Sequence, residues 1–463
     1  MQDLRGLNAL NISDLNGRKI LIVVPHEDDE ICMAGGLLSS LNNSNTRIIF
    51  TTNGNYMCPA KFRYKEAARS CKKLGIKPEN IIFLGYSDSP YDSESHMYTT
   101  DGIWTDIFGN NRTSGDGKTD EYCYSENGSH HEFTKENFTK DIKENILSYM
   151  PDIIIGIDLD YHPDHIMTSL CLEKALGEIL KENFGYRPVV LKGFAYENAY
   201  HGPEDYNDPE IKPMSFDYDK DGNLISNPYY SKDNGISISL SREAYTRNLL
   251  KNRLYRSILC HRSQALAEKA FSLINPDVVL WERDTGNLIN KAAVKVSSGN
   301  KDYLNDFMLC DSGNILNGNK QRIVYDKGIW IPDNDDKEKS IDILFGEETF
   351  INEMKIYNGL INSEYAKNLS VTLDGKEEII SINSRILSYK IAKDVKHIVI
   401  RIPDDSISNG FSEIELLNDD TAQISVAGKD YPDGSYSKAF NRFINGINVF
   451  FAKVYRKLFI PKR

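Results

Sequence analysis

The residues best suited to chemistry follow a short apolar run near the start of the chain. Residues 20–24, Ile-Leu-Ile-Val-Val, have the composition of a fully buried strand. Five polar residues come almost directly after it: His26, Glu27, Asp28, Asp29 and Glu30. Burying four carboxylates is costly unless they are paired or bound to a metal. Because open α/β sheets bind ligands at the carboxyl ends of their strands, this segment predicts a site and not a core element.

A second cluster of the same kind lies after another apolar run, residues 151–158. It reads Asp160-Tyr161-His162-Pro163-Asp164-His165 and opens a stretch with helical spacing. Taken alone, a histidine after a strand is more often a structural group held by hydrogen bonds. Two strands that each end in histidine and aspartate can instead meet at one edge of a parallel sheet. Two imidazoles and a carboxylate are typical ligands of catalytic zinc, so both clusters together predict a metal site.

Three separated blocks of the chain resemble the PIG-L family, also called LmbE-like, of zinc-dependent deacetylases of N-acetylated sugars. The family pattern His-Pro-Asp-Asp-Glu corresponds to residues 26–30, His-x-Asp-His to residues 162–165, and His-x-Ser-Gln to residues 261–264. Weaker matches are Thr52-Asn53-Gly54, the pair Arg63 and Glu66, and Leu74-Gly75. Glu27 stands where the family usually has proline, at a position that is not a ligand in the family.

The resemblance implies which residues hold the metal. His26, Asp29 and His165 would be the ligands, with one coordination position left open for a water whose pKa falls towards about 7. Ferrous iron accepts the same ligands, so zinc is the predicted metal and iron is the alternative.

The resemblance also implies the roles of the remaining polar residues. Asp28 would be the general base that takes the proton of the attacking water. His162 would stabilise the tetrahedral oxyanion, and Asp164 would orient and charge His162. Arg63 resembles a substrate-contacting arginine, although it could equally be a solvated charge on a helix. His261 would shape the sugar pocket; without the resemblance it would be a histidine favoured by a helix C-terminus.

Alternating strand and helix patterns predict an α/β fold with a Rossmann-like, doubly wound and mostly parallel sheet over residues 1–286. Besides the two runs above, we expect strands at residues 47–52, 80–84 and 189–197. Helices are expected at residues 61–75, 136–150 and 241–264.

The helical period disappears near Asn287. Short alternating stretches then predict a smaller antiparallel β-sandwich over residues 287–420. They lie at residues 292–298, 322–326, 340–345, 352–357, 369–373, 397–402 and 413–416. The spacing is similar to the galactose-binding-like, or discoidin-type, class, which implies either carbohydrate binding through end loops or bracing of the first domain.

A polar segment of about 45 residues, 89–134, interrupts the first domain. Loops of this length in a compact domain are usually functional or disordered, and dispersed aromatic residues argue against disorder. These aromatic residues are Trp104, Phe108, Tyr122 and Tyr124. They could stack on sugar rings, or they could pack the segment against its own domain.

Composition narrows the classes of partner and compartment. The formal net charge of −12 argues against nucleic acid as a partner. The N-terminus lacks the pattern of a secretory signal, and no run of about 20 apolar residues is present. The 7 cysteines lack metal-type spacing and are expected to be reduced thiols and not disulfides. We therefore expect a cytoplasmic protein.

The last residues, 421–463, are predicted to form a linker and a basic amphipathic helix. From Lys438 onwards, apolar residues recur every three or four positions, and all charges are basic. Such a helix suits an anionic membrane surface, which would place the protein peripherally at the inner face of the cell membrane. The alternative is that it docks on the acidic body of the protein or on a second copy.

These patterns predict a metal-dependent hydrolase that removes the acetyl group from an N-acetylated amino sugar, such as N-acetylglucosamine, in a glycan or glycoconjugate. If the C-terminal helix meets a membrane, the sugar would be lipid-linked or close to the membrane. The alternatives are a metal amidase that acts on a non-sugar substrate and a non-catalytic glycan-binding protein.

Overall fold

The computed structural model describes most of the chain in separate ranges. These are residues 11–90, 95–159, 162–195, 236–246, 248–311, 314–315, 323–324, 328–359, 366–382, 384, 386–403, 410–418 and 438–460. Asp160, Tyr161, the end of the strand expected at 189–197 and the linker at 421–437 lie outside the described residues.

The first sheet has seven strands and is mostly parallel. Its strands are β1 (Ile20–Val24), β2 (Thr46–Thr52), β3 (Ile81–Tyr86), β4 (Ile153–Ile157), β5 (Val189–Gly193), β6 (Ile236–Ser239) and β7 (Asp277–Arg283). They lie in the order β3-β2-β1-β4-β5-β7-β6, with β7 antiparallel to both β5 and β6. The chain runs outward from β1 to β3 on one side and then returns to β4 on the other. The gap between β1 and β4 is therefore the topological switch point, where sheets of this kind bind ligands.

Helices cover both faces of this sheet, as the doubly wound fold predicts. They are α1 (Ile12–Leu15), α2 (Asp29–Ser40), α3 (Ala60–Lys73), α4 (Tyr122–Asn127), α5 (Lys135–Tyr149), α6 (Pro163–Glu182), α7 (Arg242–Tyr245), α8 (Arg253–Ile258) and α9 (Ala270–Leu273). Alternate residues of β1 point to opposite faces. Ile22 packs in a core with α2, α3 and α8, whereas Leu21 and Val23 pack with α5 and α6.

The single helix expected at residues 241–264 is two short helices, α7 and α8. Asn252 separates them, because its side chain donates to the carbonyl oxygens of Ala244 (2.9 Å) and Thr246 (3.1 Å) and accepts from the Tyr255 N–H (2.7 Å). The same side chain therefore binds the end of one helix and caps the start of the next. Asparagine competes with the helical backbone in this way, which apolar periodicity does not reveal.

The second sheet is antiparallel and forms the expected sandwich. Its strands are β8 (Ala292–Val296), β11 (Ser340–Asn358), β12 (Asn368–Leu373), β13 (Lys376–Ser381), β14 (Ile386–Arg401) and β15 (Phe411–Leu417), and β9 (Asn314–Ile315) pairs separately with β10 (Ile323–Val324). The strands expected at 340–345 and 352–357 are one strand, with a register shift between Leu344 and Thr349. Residues of both halves share one core, so the long strands supply both layers.

The segment that follows β8 packs closely against α6. A Cβ atom at Gly177 would overlap the carbonyl oxygen of Asp306, so only glycine fits at this contact. Phe307 and Met308 follow at once and belong to the core on the α5 and α6 face of the first sheet. The second domain is thus anchored by a segment that packs inside the first.

The aromatic segment 89–134 is partly buried and partly exposed. Trp104 is buried in the core beside Phe133, and its Nε1–H donates to Ser95 at 3.1 Å. Trp104 therefore packs the segment against its own domain. Phe108 and Tyr124 are exposed.

All seven cysteines are described and are free thiols, as expected. The last helix is α10 (Lys438–Phe459). Among the helices that the structure describes, none has the length and apolarity to cross a bilayer.

Candidate metal centre

The two polar clusters meet at the switch point of the first sheet. β1 and β4 are parallel neighbours, so their carboxyl ends lie at the same edge. His26 lies in the turn after β1, and Asp29 is the first residue of α2. After β4, His165 lies in the first turn of α6, whose N-cap is His162.

Three lone-pair atoms converge at this edge. His26 Nδ1 lies 3.0 Å from Asp29 Oδ2 and 3.2 Å from His165 Nε2, and Asp29 Oδ2 lies 3.2 Å from His165 Nε2. All three side chains are buried. A tetrahedral metal with bonds of about 2.0–2.1 Å places its ligand atoms roughly 3.3 Å apart. The donor set therefore fits a divalent cation such as zinc.

The far nitrogen of His26 faces two carboxylates, which fixes its orientation. His26 Nε2 lies 3.1 Å from both Asp88 Oδ1 and Asp164 Oδ2. With the Nε2 proton directed at these acids, the Nδ1 lone pair is left for a metal, as in many carboxylate–histidine–metal arrangements. Burial lowers the pKa of His26, but Asp88 and Asp29 outweigh it, and the net pKa lies well above 6.5.

Two residues of this arrangement were missed by the sequence analysis. Asp88 follows β3, so a third strand also ends in an acid beside the site. His96 comes from the long aromatic segment, and its Nε2 lies 3.1 Å from Asp164 Oδ1. The position of Asp88 after a strand was an available signal, whereas the sequence shows no pattern that would have found His96.

Asp164 contacts different groups from those expected. Its Oδ2 lies 3.8 Å from His162 Nδ1, beyond hydrogen-bond distance, whereas it accepts from the Ser89 N–H at 2.9 Å and faces His26 and His96. The carboxylate is still within ion-pair distance of the ring, so the expected action of Asp164 on His162 stays a prediction. The carboxylate points away because the Asp164 backbone N–H is the group that reaches His162 Nδ1, at 3.1 Å.

The contact with that N–H also fixes the protonation of His162. Because Nδ1 accepts a hydrogen bond, the ring carries its proton on Nε2. Burial and then the neighbouring His26 hold the pKa of His162 well below 6.5, so the ring is neutral. Its centroid lies 4.6 Å from that of His26. His162 is thus a neutral donor at the rim of the metal centre.

Two further ligand sets are geometrically open. His162 could join His26 and His165 in a three-imidazole set, or join His26 with Asp88 and Asp164. The first set would have to use Nε2 of His162, since its Nδ1 is occupied. The set of His26, Asp29 and His165 has spacings of 3.0–3.2 Å and does not use His162 as a ligand.

Asp28, which directly precedes Asp29 in the chain, forms an ion pair with Arg63. Arg63 Nη2 is 3.1 Å from Asp28 Oδ1, and Arg63 Nε is 3.2 Å from Glu27 Oε2. The Asp28 side chain is 18% exposed, whereas that of Arg63 is 5% exposed. Arg63 is therefore a buried partner of two carboxylates and not the solvated helix charge considered above.

Glu27, the departure from the family pattern, is part of this contact. It is fully buried, and burial raises its pKa to about 7 despite the neighbouring Arg63. Gly54 has a φ of +58°, and a Cβ there would overlap Glu27 and lie 2.6 Å from Arg63 Nε. The Thr-Asn-Gly match thus has a steric reason, because only glycine leaves room for the pair.

The third block packs behind the site. His261 is buried, with Nε2 3.3 Å from Glu30 Oε1, and Ser263 donates from its N–H and hydroxyl to Glu66. Burial lowers the pKa of His261, but Glu30 outweighs this and raises it. His261 also lines a cavity of about 340 Å³ beneath α10. The structure therefore places this block against α2 and α3, on the side that faces the C-terminal helix.

A second group with metal-type residues lies elsewhere, in the aromatic segment and α5. It consists of Cys123, His131 and Asp141. Asp141 accepts from the Tyr86 hydroxyl at 2.7 Å and pairs with His131, and Cys123 accepts from the His131 N–H at 3.4 Å. These contacts account for the cluster without an ion.

Comparison with known proteins agrees with the first two blocks. Residues 21–176 match the family described as PIG-L: GlcNAc-PI de-N-acetylase. The matched range contains both polar clusters and covers about a third of the chain. Residues 261–264 lie outside it.

Solved structures give weak matches. A deacetylase of the teicoplanin biosynthetic pathway is 12% identical with a TM-score of 0.31, covering 57% of this chain and 97% of its own. A fucose-binding module of Streptococcus pneumoniae is 13% identical with a TM-score of 0.23, covering 28% and 96%. A family 32 CBM from Clostridium perfringens NanJ in complex with galactose is 10% identical with a TM-score of 0.19, covering 28% and 94%. At these scores the likenesses carry no conclusion about this chain.

Proposed function

We propose that this protein is a metal-dependent hydrolase that removes the acetyl group from an N-acetylated amino sugar. The observation that carries the proposal is the triangle of His26 Nδ1, Asp29 Oδ2 and His165 Nε2, with sides of 3.0–3.2 Å, inside the range matched by the family. Asp28 and His162, a base and a donor, border the same triangle.

We propose His26, Asp29 and His165 as the ligands and zinc as the metal, with ferrous iron as the alternative. A divalent cation held there supplies Lewis acidity, which polarises an amide carbonyl and makes water easier to deprotonate. The buried acids around His26 hold the imidazole so that it can act as a ligand.

Asp28 is the proposed general base. It is the most exposed of the acids at the site and so can meet a water that enters with the substrate. Arg63 binds one of its oxygens at 3.1 Å, which leaves the other carboxylate oxygen for that water. When the water attacks the acetamide carbon, its proton passes to Asp28, and it can then be given to the leaving amine.

His162 is the proposed donor to the developing oxyanion. A neutral imidazole with Nδ1 engaged by Asp164 N–H presents Nε2–H to the rim of the site. Negative charge on the former carbonyl oxygen would strengthen this hydrogen bond as the tetrahedral centre forms. Asp164 acts on His162 through its backbone and on His26 through its carboxylate.

Residues 1–286 are the proposed catalytic domain, residues 287–420 the sandwich, and residues 421–463 the linker and helix. The substrate would be a sugar such as N-acetylglucosamine within a glycan or glycoconjugate, either lipid-linked or near a membrane. Arg63 and His261 would act on it indirectly, by holding Asp28 and by shaping the wall under α10. We further propose that the protein works in the cytoplasm, peripherally at an anionic membrane, because α10 exposes an apolar face.

The test is acetate release from a panel of compounds. Metal-stripped protein reloaded with zinc would be given N-acetylated hexosamines, their glycosides and N-acetylated amino acids, with Asp28→Asn as the matched control. We expect release from at least one amino sugar, dependent on metal and absent in the control. Release from the amino acids alone would replace the proposal with a metal amidase. No release from any compound by metal-loaded protein would contradict the hydrolase proposal.

A further inference from the structure

The C-terminal helix α10 contacts the catalytic domain through its polar side. Asn445 donates to the Ala267 carbonyl oxygen at 3.0 Å and accepts from the Tyr255 hydroxyl at 2.9 Å. Asn448 donates to the same hydroxyl at 3.1 Å, and Ala452 is buried one turn further on. The side of α10 that packs on the protein therefore consists of asparagines and, one turn further on, a small residue.

The apolar side of α10 faces outward, which is the reverse of an ordinary surface helix. The exposed fractions on this side are Phe440 48%, Phe443 64%, Ile447 38%, Phe450 62% and Leu458 68%, and we call these residues the aromatic row. Phe451 and Phe459 are also exposed, but they line the cavity beneath α10. Scattered exposed apolar residues are normal, but a continuous aromatic row along one helix marks an interaction surface.

The charge of the segment limits what can cover this row. Residues 438–463 contain seven basic residues and no acidic one. Since the whole chain has a net charge of −12, residues 1–437 carry a net charge of −19. Lys453 is paired with Glu268 at 3.1 Å, and Arg456 and Lys457 lie exposed beside the aromatic row. Two copies that met through this face would bring like charges together. An anionic bilayer offers both an apolar interior and negative headgroups.

A basic cleft opens on the catalytic domain next to α10. It has a volume of about 700 Å³ and is lined by Arg69, Lys72, Lys73, Arg256, Leu259, Cys260 and Arg262. Among the described residues that line it, five are basic and none is acidic. Leu259 and Arg262 also line the cavity beneath α10, so the cleft and the aromatic row belong to one side of the molecule.

We propose that the aromatic row of α10 and this basic cleft form one docking surface for an anionic phospholipid membrane. The aromatic side chains enter the boundary between headgroups and acyl chains, and the cleft binds lipid phosphates. The cleft adds five basic side chains to the exposed Arg456 and Lys457 of α10, whereas Lys453 is already paired with Glu268. This inference rests on the membrane contact of the proposed function and does not depend on the chemistry of the metal centre.

The location also relates the membrane to the metal centre. Arg262 follows His261, and His261 contacts Glu30, the residue after the proposed ligand Asp29. The membrane would therefore lie next to the wall formed by the third block, and a sugar on a lipid anchor would approach from that side.

Flotation of the full-length protein with vesicles tests the proposal. Vesicles of phosphatidylcholine alone would be compared with vesicles that also contain phosphatidylserine. We expect recovery only with the anionic vesicles, and its loss in high salt. Equal recovery with both, or none with either, would overturn the proposal.

Two variants separate the two parts of the surface. Arg69→Gln/Lys72→Gln/Lys73→Gln should weaken partitioning on the order of 100-fold, since each basic residue near such a surface contributes roughly fivefold. The control Lys376→Gln/Lys393→Gln/Lys396→Gln makes the same charge change on the exposed antiparallel sheet and should bind as the parent does. Equal binding by the cleft variant and this control would remove the cleft from the surface.

Phe443→Ser/Phe450→Ser tests the aromatic row and should abolish binding while leaving cooperative unfolding unchanged. Light scattering of the same variant addresses a second copy as the occupant. A parent dimer that this variant converts to a monomer, without any vesicle binding by the parent, would overturn the membrane proposal. Because flotation does not use turnover, an inactive but membrane-bound protein would contradict only the proposed hydrolase.

Discussion

Arg63 and Glu27 form a buried ion pair, with Arg63 Nε 3.2 Å from Glu27 Oε2. Arg63 also contacts Asp28, so the ion pair lies next to the proposed base. Glu27 Oε1 has no hydrogen-bond partner, so the glutamate depends on Arg63 for its charge compensation. A residue that departs from the family pattern is thus tied to the arginine that positions the proposed base.

Removing this arginine should destabilise the fold. Arg63→Ala leaves a buried carboxylate without its partner, which costs about 3–5 kcal/mol of unfolding free energy. The double variant Arg63→Ala/Glu27→Gln removes the charge as well and should recover most of that loss. Urea unfolding near pH 8, where Glu27 is ionised, is the measurement. A double variant as unstable as the single one would show that packing, and not charge, is what Arg63 provides.

Substitutions at two adjacent residues should separate the loss of metal binding from the loss of turnover. Asp28→Asn should keep the metal and lose turnover by about 10²–10⁴, the range for a general base. Asp29→Ala should lose the metal, because it removes one corner of the triangle. Elemental analysis of the purified proteins is the check. If the Asp28→Asn protein is purified without metal, Asp28 is a ligand and its assignment as the general base is wrong.

His162 should be dispensable for the metal but not for catalysis. His162→Ala should retain the metal and lose turnover by about 10²–10³, as for removal of an oxyanion donor. Titration calorimetry with zinc distinguishes this from the three-imidazole set. A fall in zinc affinity as large as that caused by His165→Ala would favour that set.

Separating the first domain should preserve its fold but weaken it. A chain ending at Gly286 lacks Phe307 and Met308, which pack in the core of the first sheet. We expect a lower melting temperature than that of the full protein and measurable activity on a small N-acetylated sugar. The full-length variant Phe307→Ala is the control, with an expected cost of about 3–5 kcal/mol. A shortened chain as stable as the full protein would show that this segment contributes nothing.

Asp158 should make the free energy of unfolding fall as the pH rises. It is buried at the end of β4, and burial raises its pKa from 3.8 to about 6. The folded state therefore binds more protons between these values, so stability falls as pH rises from about 4 to 6. Asp158→Asn should flatten this slope in urea unfolding across that range. An unchanged slope would place the titration elsewhere.

The site could be predicted where its residues are local in sequence. His26 and Asp29 share one turn, and His162 and His165 share another, so strand ends and spacing were enough to predict both pairs. His96 could not be predicted, because its place depends on how the segment 89–134 folds back over the sheet. The contacts of Asp164 with His26, His96 and Ser89 could not be predicted for a related reason, since spacing does not tell which way a carboxylate points.

The orientation of the C-terminal helix could not be predicted from its apolar periodicity either. The apolar spacing of α10 predicted an amphipathic helix, and the structure has one. Periodicity alone does not say which side packs on the protein, and the expected alternatives were membrane or docking. In the structure the helix docks through Asn445 and Asn448 and still exposes its aromatic row. The regular spacing of the asparagines was the signal that would have shown this.

Gly177 limits which second part could be joined to the first part of this chain. No side chain fits between α6 and the Asp306 carbonyl, so the helix and this segment of the second part of the chain meet through backbone atoms. A gene rearrangement that joined another sandwich to the first part of the chain would have to reproduce that contact. A larger residue at position 177 would therefore require a compensating shift of the segment around Asp306.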